Sequence, residues 1–246
     1  MMIYMKGHEH PLSSIIRNIN AIFHEMGFTF AEGPEIESEW YNFDTLNVPK
    51  DHPARDMQDT FFMKHPWGEG KERKEVLRTH TSPVQVRYLE KHGAPTRIIV
   101  PGKVFRNEAT DATHEAQFYQ LEGLMVDKGV HVGHLKGTLE TFFAKLFGGK
   151  VDVRFRPSFF PFTEPSFEVD MRIEGNPSKN KLAGRWIEIM GSGMVHPSVL
   201  RAAGVNPEVY SGFAFGMGID RLALLRYGID DIRLLYNGDL RFVNQF

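Results

Sequence analysis

The chain has 246 residues, no cysteine and 20 phenylalanines, and its formal net charge is −2. That length suits one large domain, and the lack of cysteine excludes disulfides and thiolate-bound zinc. Near-neutral charge gives no argument for nucleic-acid binding, no apolar run approaches a membrane span, and the start MMIYMKGHEHPL lacks a signal-peptide core, so a soluble cytoplasmic protein is expected.

Leu12, Ile15, Ile16, Ile19, Phe23 and Met26 recur at three- and four-residue steps. This spacing predicts an amphipathic helix with Pro11 in its first turn and Gly27 as its stop. A short strand is expected at 28–30, ended by Glu32-Gly33-Pro34, and a helical stretch at 35–43. Residues 47–59 read as loop, 60–63 as a short strand, and 64–75 as a loop of mixed charge. A helix is expected over 84–92, capped by Ser82 with Pro83 at its first position. Apolar runs at 98–105 and 118–126 flank a polar connection too long for a two-residue turn, which predicts strand, loop, strand.

A second long helix is expected over 132–147, with Leu135, Leu139, Phe142, Phe143 and Leu146 on one side. Strands follow at 151–155, 167–173 and 186–190, the last running into Gly191-Ser192-Gly193, and a polar loop is expected at 174–184. A short helix at 197–203 precedes a strand at 213–218 and a helix at 219–227 ended by Gly228. The tail 232–246 is mixed. Strands arrive mostly without a helix of crossover length between them. An α+β fold is therefore expected, with a mainly antiparallel sheet flanked by helices. His8, His10, His131 and His134 have no convergent third ligand and read as surface histidines.

Alternation along strands groups the polar residues. If the first central strand continues, Arg106 and Glu108 share a face. On its partner Phe118, Gln120 and Glu122 share one. An Arg, two carboxylates, an amide and a ring on one surface suit a ligand with anionic and cationic or planar parts. In 213–218 the large Phe213, Phe215 and Met217 fall on one face, and Ala214, Gly216 and Gly218 on the other. The small face lets a ligand approach the backbone. Asp220 is expected to cap the next helix. Arg221, in its first turn, opposes the helix dipole and suits gripping an anion.

These blocks together resemble class II aminoacyl-tRNA synthetases. The first helix with Gly27-Phe28 through Pro34 resembles motif 1. Phe105-Arg106-Asn107-Glu108 with His114 and Phe118 resembles motif 2. Gly216-Met217-Gly218-Ile219-Asp220-Arg221 resembles motif 3. Further blocks narrow the likeness to the α subunits of bacterial-type phenylalanyl-tRNA synthetases: His80-Thr81-Ser82-Pro83-Val84-Gln85, Phe118 to Gly123, Phe160-Pro161-Phe162-Thr163-Glu164-Pro165, Gly193-Met194-Val195-His196-Pro197 and Gly212 to Gly216. The likeness runs from about His10 to Phe246. The long N-terminal helical arm usual in that family is absent, so residues 1–246 are expected to be a single catalytic domain. The 174–184 loop is longer and more polar than the family leads one to expect.

The resemblance implies activation of phenylalanine by ATP and transfer of the aminoacyl group to tRNA(Phe). Arg106 would bridge the amino-acid carboxylate and the α-phosphate, a task suited to a forked guanidinium. Glu108 would hold the adenine amino group or steady the loop. Phe118 would stack on adenine, with Arg221 on its other side and His114 toward the phosphates. Gln120 and Glu122 would take the ammonium, with His80, Ser82 and Gln85 completing the polar end. Phe160 and Phe162 would meet the substrate ring, and Ala214 and Gly216 would form its close wall. Glu164 would be a ligand of Mg²⁺, shared with a β subunit in an assembly of two αβ units. Two other readings fit the same residues: a paralogue that adenylates an amino acid without serving tRNA, and a catalytically silent regulatory subunit.

Overall fold

Pro11 stands at the first position of α1 (Pro11–Glu25), and the His10 ring caps that turn by accepting from the Leu12 N–H. Gly27 follows at φ +79°, a conformation that releases the chain toward β1 (Thr29–Phe30). The computed structural model describes residues 7–51, 60–63, 75–174 and 184–246. The loops expected at 64–75 and 174–184, apart from Glu75, Glu174 and Gly184, and most of that at 47–59 lie outside the described residues; Glu75 begins a strand.

Seven strands form one sheet in the order β1-β4-β5-β9-β8-β7-β6. They are β1, β4 (Thr96–Phe105), β5 (Gln117–Asp127), β6 (Val151–Phe160), β7 (Thr163–Ile173), β8 (Ile187–Val195) and β9 (Ser211–Gly218). Every pairing is antiparallel except β1 with β4. The expected architecture is therefore present. A second, two-stranded sheet joins β2 (Ile36–Ser38) to β3 (Glu75–Leu77).

Alternation divides the central strands as their sequence predicts. Leu121 of β5 and Phe213, Phe215 and Met217 of β9 enter one core with Ile15, Ile19 and Phe23 of α1 and Phe142 and Phe143 of α4 (Val132–Phe147). Phe23 is the hub: its ring lies 4.7 Å from that of Phe142 and 5.7 Å from that of Phe215. Burying such a ring stabilises the fold by about 2–3 kcal/mol. On the opposite face Leu124, Val126 and Ala214 pack with Val84 and Leu89 of α3 (Pro83–His92) and with Val199 and Leu200 of α5 (Pro197–Ala202). Phe118, Gln120, Glu122 and Gly216 continue that second face beyond the cover of these helices.

Gly123 lies opposite Phe215, and a Cβ there would come within 2.1 Å of the Phe215 ring. The rings of Phe23 and Phe213 flank the buried Phe215 ring, so it cannot swing clear. Gly123→Ala is expected to destabilise the fold by about 3 kcal/mol, the upper end for overpacking. An unchanged thermal midpoint would show that Phe215 has room to move.

Three local expectations change. The 35–43 stretch is not one helix: Ile36–Ser38 pairs as a strand, and only α2 (Glu39–Asn42) and a 3₁₀ turn at Asp44–Leu46 are helical. Glu37 explains the switch. It is buried in the strand and takes two hydrogen bonds from Arg87 of α3, at 2.7 and 2.6 Å. Second, residues 60–63 form no strand; Phe62 makes a single bridge to Val76. Third, the strands expected at 151–155 and 167–173 are longer, β6 running on to Phe160 and β7 starting at Thr163, so only Pro161 and Phe162 turn between them. The His131 and His134 side chains form a capping box on α4, and so keep their Nδ1 atoms as acceptors rather than metal ligands.

Candidate functional site

A cavity of about 530 Å³ opens over the uncovered part of the second sheet face. His80, Ser82, Arg106, Glu108, His114, Phe118, Gln120, Glu122, Phe160, Phe162, Ala214, Gly216 and Arg221 all line it. Residues from five separate stretches of chain thus converge, among them both arginines and the three phenylalanines, Phe118, Phe160 and Phe162, singled out by sequence.

The floor is set by strand register. Glu122 pairs with Gly216, and Gly216 with Gly191 of β8. A Cβ on Gly216 would press on the tips of Gln120 and Glu122 at 3.1 Å, so glycine keeps the floor open beside the carboxyl. Gln120 donates to Glu122 at 3.1 Å, and Gln85, behind the cavity wall, donates to the other oxygen. Ser82 departs from expectation. It precedes α3 with αR backbone and makes no cap bond; its hydroxyl instead serves Glu122. Burial pushes the Glu122 carboxyl up to about 8, against the three hydrogen bonds, which favour its charged form. The site therefore holds a protonated carboxyl that a bound cation would ionise.

Arg78 positions the turn before α3. Buried, it donates to the carbonyls of Lys103 at 2.7 Å and Gly33 at 3.0 Å. Gly102 makes room for it, since a Cβ there would lie 2.3 Å from its Nη2. His80, two residues on, is 5% exposed, and among the described residues its Nδ1 has no hydrogen-bond partner. Burial and the nearby Arg106 push its imidazole down to about 3, so it is neutral at pH 7. A neutral ring with an unspent nitrogen beside a guanidinium suits a polar ligand.

Strand β4 ends at Phe105, so Arg106 and Glu108 do not share a strand face as expected; both still reach the cavity. Arg106 donates Nε to the Thr79 carbonyl at 3.2 Å, and its guanidinium carbon lies 5.1 Å from the centre of the Phe118 ring. His114 sits on the loop beyond. Asp111 holds that loop by accepting from the N–H groups of Thr113 and His114 at 2.6 and 2.8 Å, and the His114 ring turns to Asp111 at 3.0 Å. The Ile232 N–H docks the loop to the C-terminal segment through the Ala112 carbonyl at 3.0 Å.

Arg221 stands in the first turn of α6 (Ile219–Tyr227), exposed to the cavity. Asp220 does not cap that helix. It turns inward and accepts from the Tyr119 N–H at 2.6 Å and from the Tyr236 hydroxyl, tying β5 to the start of α6. Burial pushes its carboxyl up to about 6. The rings of Phe160 and Phe162 stack at 5.8 Å with 9° between their planes. Glu164 is not part of the cavity lining; its side chain is 76% exposed and lies 3.4 Å from His196 Nε2. Among the described residues no three His, Asp or Glu side chains gather to hold a metal ion.

Sequence reasoning missed Gly191, Ser192, Thr163 and Asp220 as lining residues. The Gly191-Ser192-Gly193 run carried a signal, since small residues at one parity of a central strand leave room as Gly216 does. Asp220 carried none, because its partners lie 101 and 16 residues away.

The whole described arrangement has relatives. Residues 2–246 match the family of tRNA synthetases class II core domain (F). A phenylalanine–tRNA ligase alpha subunit from Geobacillus thermodenitrificans is 54% identical over 245 residues, covering 98% of this chain and 69% of that protein. The alpha subunits from Clostridium perfringens and Synechocystis are 54% and 52% identical, each across 98% of this chain and covering 69% and 68% of the relative. A solved pyrrolysyl-tRNA synthetase from Desulfitobacterium hafniense superposes with a TM-score of 0.67 at 18% identity, over 92% of this chain and 73% of that one, a likeness of fold.

Proposed function

Because this chain belongs to the class II aminoacyl-tRNA synthetases, in the branch of the phenylalanine–tRNA ligase alpha subunits, we propose that its cavity forms phenylalanyl-adenylate from phenylalanine and ATP. The observation that carries the reading is the convergence of Arg106, Arg221, Glu122 and the Phe160–Phe162 pair on one cavity. An amino acid offers a carboxylate, an ammonium and a side chain. The cavity offers a guanidinium, a carboxyl with two amides behind it, and a pair of rings.

In this reading the ammonium sits against Glu122 and Gln120, and Ser82 and Gln85 hold Glu122 from behind. The carboxylate lies between His80 and Arg106, and the ring enters between Phe160, Phe162 and Ala214. Adenine stacks between Phe118 and Arg221, with Glu108 at its amino group and His114 toward the phosphates. A carboxylate oxygen attacks the α-phosphorus, an oxygen–phosphorus bond forms, and the bond to pyrophosphate breaks. No covalent link to the protein is needed. In this reading Arg106, held in place by the Thr79 carbonyl, stabilises the charge that develops there. The aminoacyl group then passes from the adenylate to tRNA(Phe).

Mg²⁺ belongs to the proposal as the companion of ATP, neutralising phosphate charge; Mg²⁺ is commonly held through one or two carboxylates and phosphate oxygens. Glu164 lies outside the cavity against His196, so it is proposed only as a Mg²⁺ ligand completed by the β subunit. A β subunit, in an assembly of two αβ units, is proposed to cover the α1 and motif 1 side, where Phe30, Ile36, Trp40 and Phe62 are exposed. We read residues 1–246 as one catalytic domain acting in the cytoplasm. No described helix is long and apolar enough to cross a membrane.

The test is amino-acid-dependent ATP–pyrophosphate exchange with a β chain supplied. Phenylalanine is expected to drive it; exchange driven by a different amino acid, or by none, sinks the reading. Full activity from the chain alone would remove the β partner from it.

Ala214, buried and paired with Gly193, supplies the methyl nearest the ring. Ala214→Gly is expected to admit para-substituted phenylalanines that the parent rejects, because rejection here rests on lack of room. Unchanged exclusion of para-chlorophenylalanine in the exchange assay would place the ring elsewhere.

A further inference from the structure

The ring wall is a turn, and turns move unless something holds them. Phe160 and Phe162 flank buried Pro161, which has no N–H, so its carbonyl is its only polar backbone handle. That carbonyl accepts from Asn47 Nδ2 at 2.7 Å, across 114 residues of sequence. The neighbouring backbone groups are tied as well. The Phe160 N–H donates to Ser166 Oγ at 3.0 Å, the Ser166 hydroxyl donates to the Thr163 carbonyl at 2.7 Å, and the His196 N–H donates to the Phe162 carbonyl at 2.9 Å. Asn47 thus reaches this turn from a distant part of the chain.

Its backbone is unusual. Among the described residues Asn47 is the sole non-glycine at positive φ, with φ 60° and ψ 27°, directly after the 3₁₀ turn at Asp44–Leu46. Glycine adopts that conformation freely, whereas asparagine tolerates it at a cost and brings an amide. Buried Leu46 and Val48 on either side anchor the loop, so the amide is held rather than free to swing.

We propose that Asn47 is a positioning residue for amino-acid recognition: by gripping the Pro161 carbonyl it fixes the Phe160–Phe162 wall and sets the size of ring the cavity accepts. This rests on the cavity being the phenylalanine site. Asn47 touches no substrate itself; it acts through the turn.

Two variants isolate the amide. Asn47→Gly keeps the left-handed backbone and removes the donor. Asn47→Asp keeps the shape and sets an acceptor against the carbonyl. Both are assayed in the complete complex with its β subunit, by exchange kinetics with phenylalanine, tyrosine and ATP varied in turn. Asn47→Gly is expected to raise KM for phenylalanine about five- to tenfold and to relax the preference for phenylalanine over tyrosine by a similar factor, with KM for ATP unchanged. Asn47→Asp is expected to do more, in the same direction. An Asn47→Gly enzyme with parental phenylalanine KM and parental tyrosine rejection overturns the inference, and so do equal rises in the phenylalanine and ATP constants. A parent complex that exchanges nothing with phenylalanine overturns the reading of the site itself, and this role with it.

Discussion

Replacing Arg106 with alanine is expected to lower phenylalanine-dependent exchange by about 10³-fold while leaving the protein folded. Removing one preorganised donor aimed at developing charge costs about 10²–10³ in rate, and Arg106 is proposed to serve two anions at once. Among the described residues it donates one hydrogen bond, from Nε to the Thr79 carbonyl, so most of its fork is left for ligand. Burial lowers its pKa, yet a guanidinium stays charged at neutral pH. Among the described residues no carboxylate forms an ion pair with it, so alanine removes a desolvated cation and the thermal midpoint is expected to hold. Arg106→Lys is expected to recover little, because an ammonium cannot bond two acceptors in parallel. An Arg106→Ala enzyme within tenfold of the parent, with normal folding, would mean that the α-phosphate lies elsewhere.

What the sequence made legible is what alternation governs. The even positions of β5 and the small residues of β9 lie on the cavity face, and their odd-numbered neighbours enter the core under α1, because a strand has no other way to place them. Caps were less legible. Ser82 stands at the N-cap of α3, whereas Asp220 falls inside the first turn of α6, whose cap is Gly218; both side chains are drawn off by buried partners, Glu122 for the one and Tyr119 and Tyr236 for the other. A capping bond is worth about 1 kcal/mol, and satisfying a buried carboxyl is worth more, so tertiary partners win. The 35–43 stretch was misread for the same reason. Its periodicity allowed a helix, but Arg87 holds Glu37 in a strand from 50 residues away. Asn47 was invisible because nothing in a loop's local pattern announces a bond to Pro161. The proposed roles of the lining residues came from resemblance; composition alone offered only a mixed surface.

Glu122→Gln is expected to raise KM for phenylalanine about 10²-fold and to remove a proton from the binding reaction. Glu122 is 3% exposed, and burial pushes its carboxyl from 4.5 up to about 8. The sign follows. A folded-state pKa above the unfolded one stabilises the fold fully below about pH 4.5, and that contribution is lost as pH rises through about 8. The ligand-free protein is thus expected to lose thermal stability across that window, and Glu122→Gln to flatten the loss, since an amide has no proton to give up. An ammonium docking on the carboxyl reverses the burial effect by restoring an opposite charge, so binding at pH 7 should expel the Glu122 proton into the buffer. Titration calorimetry in two buffers of different ionisation heat reads that proton directly, and phenylalanine affinity should tighten from pH 6 toward pH 8. The glutamine variant keeps the shape and an acceptor for Gln85 but cannot ionise, so it forfeits a buried charge pair. Proton release that survives in Glu122→Gln would assign the titration to another group and detach the ammonium from this carboxyl.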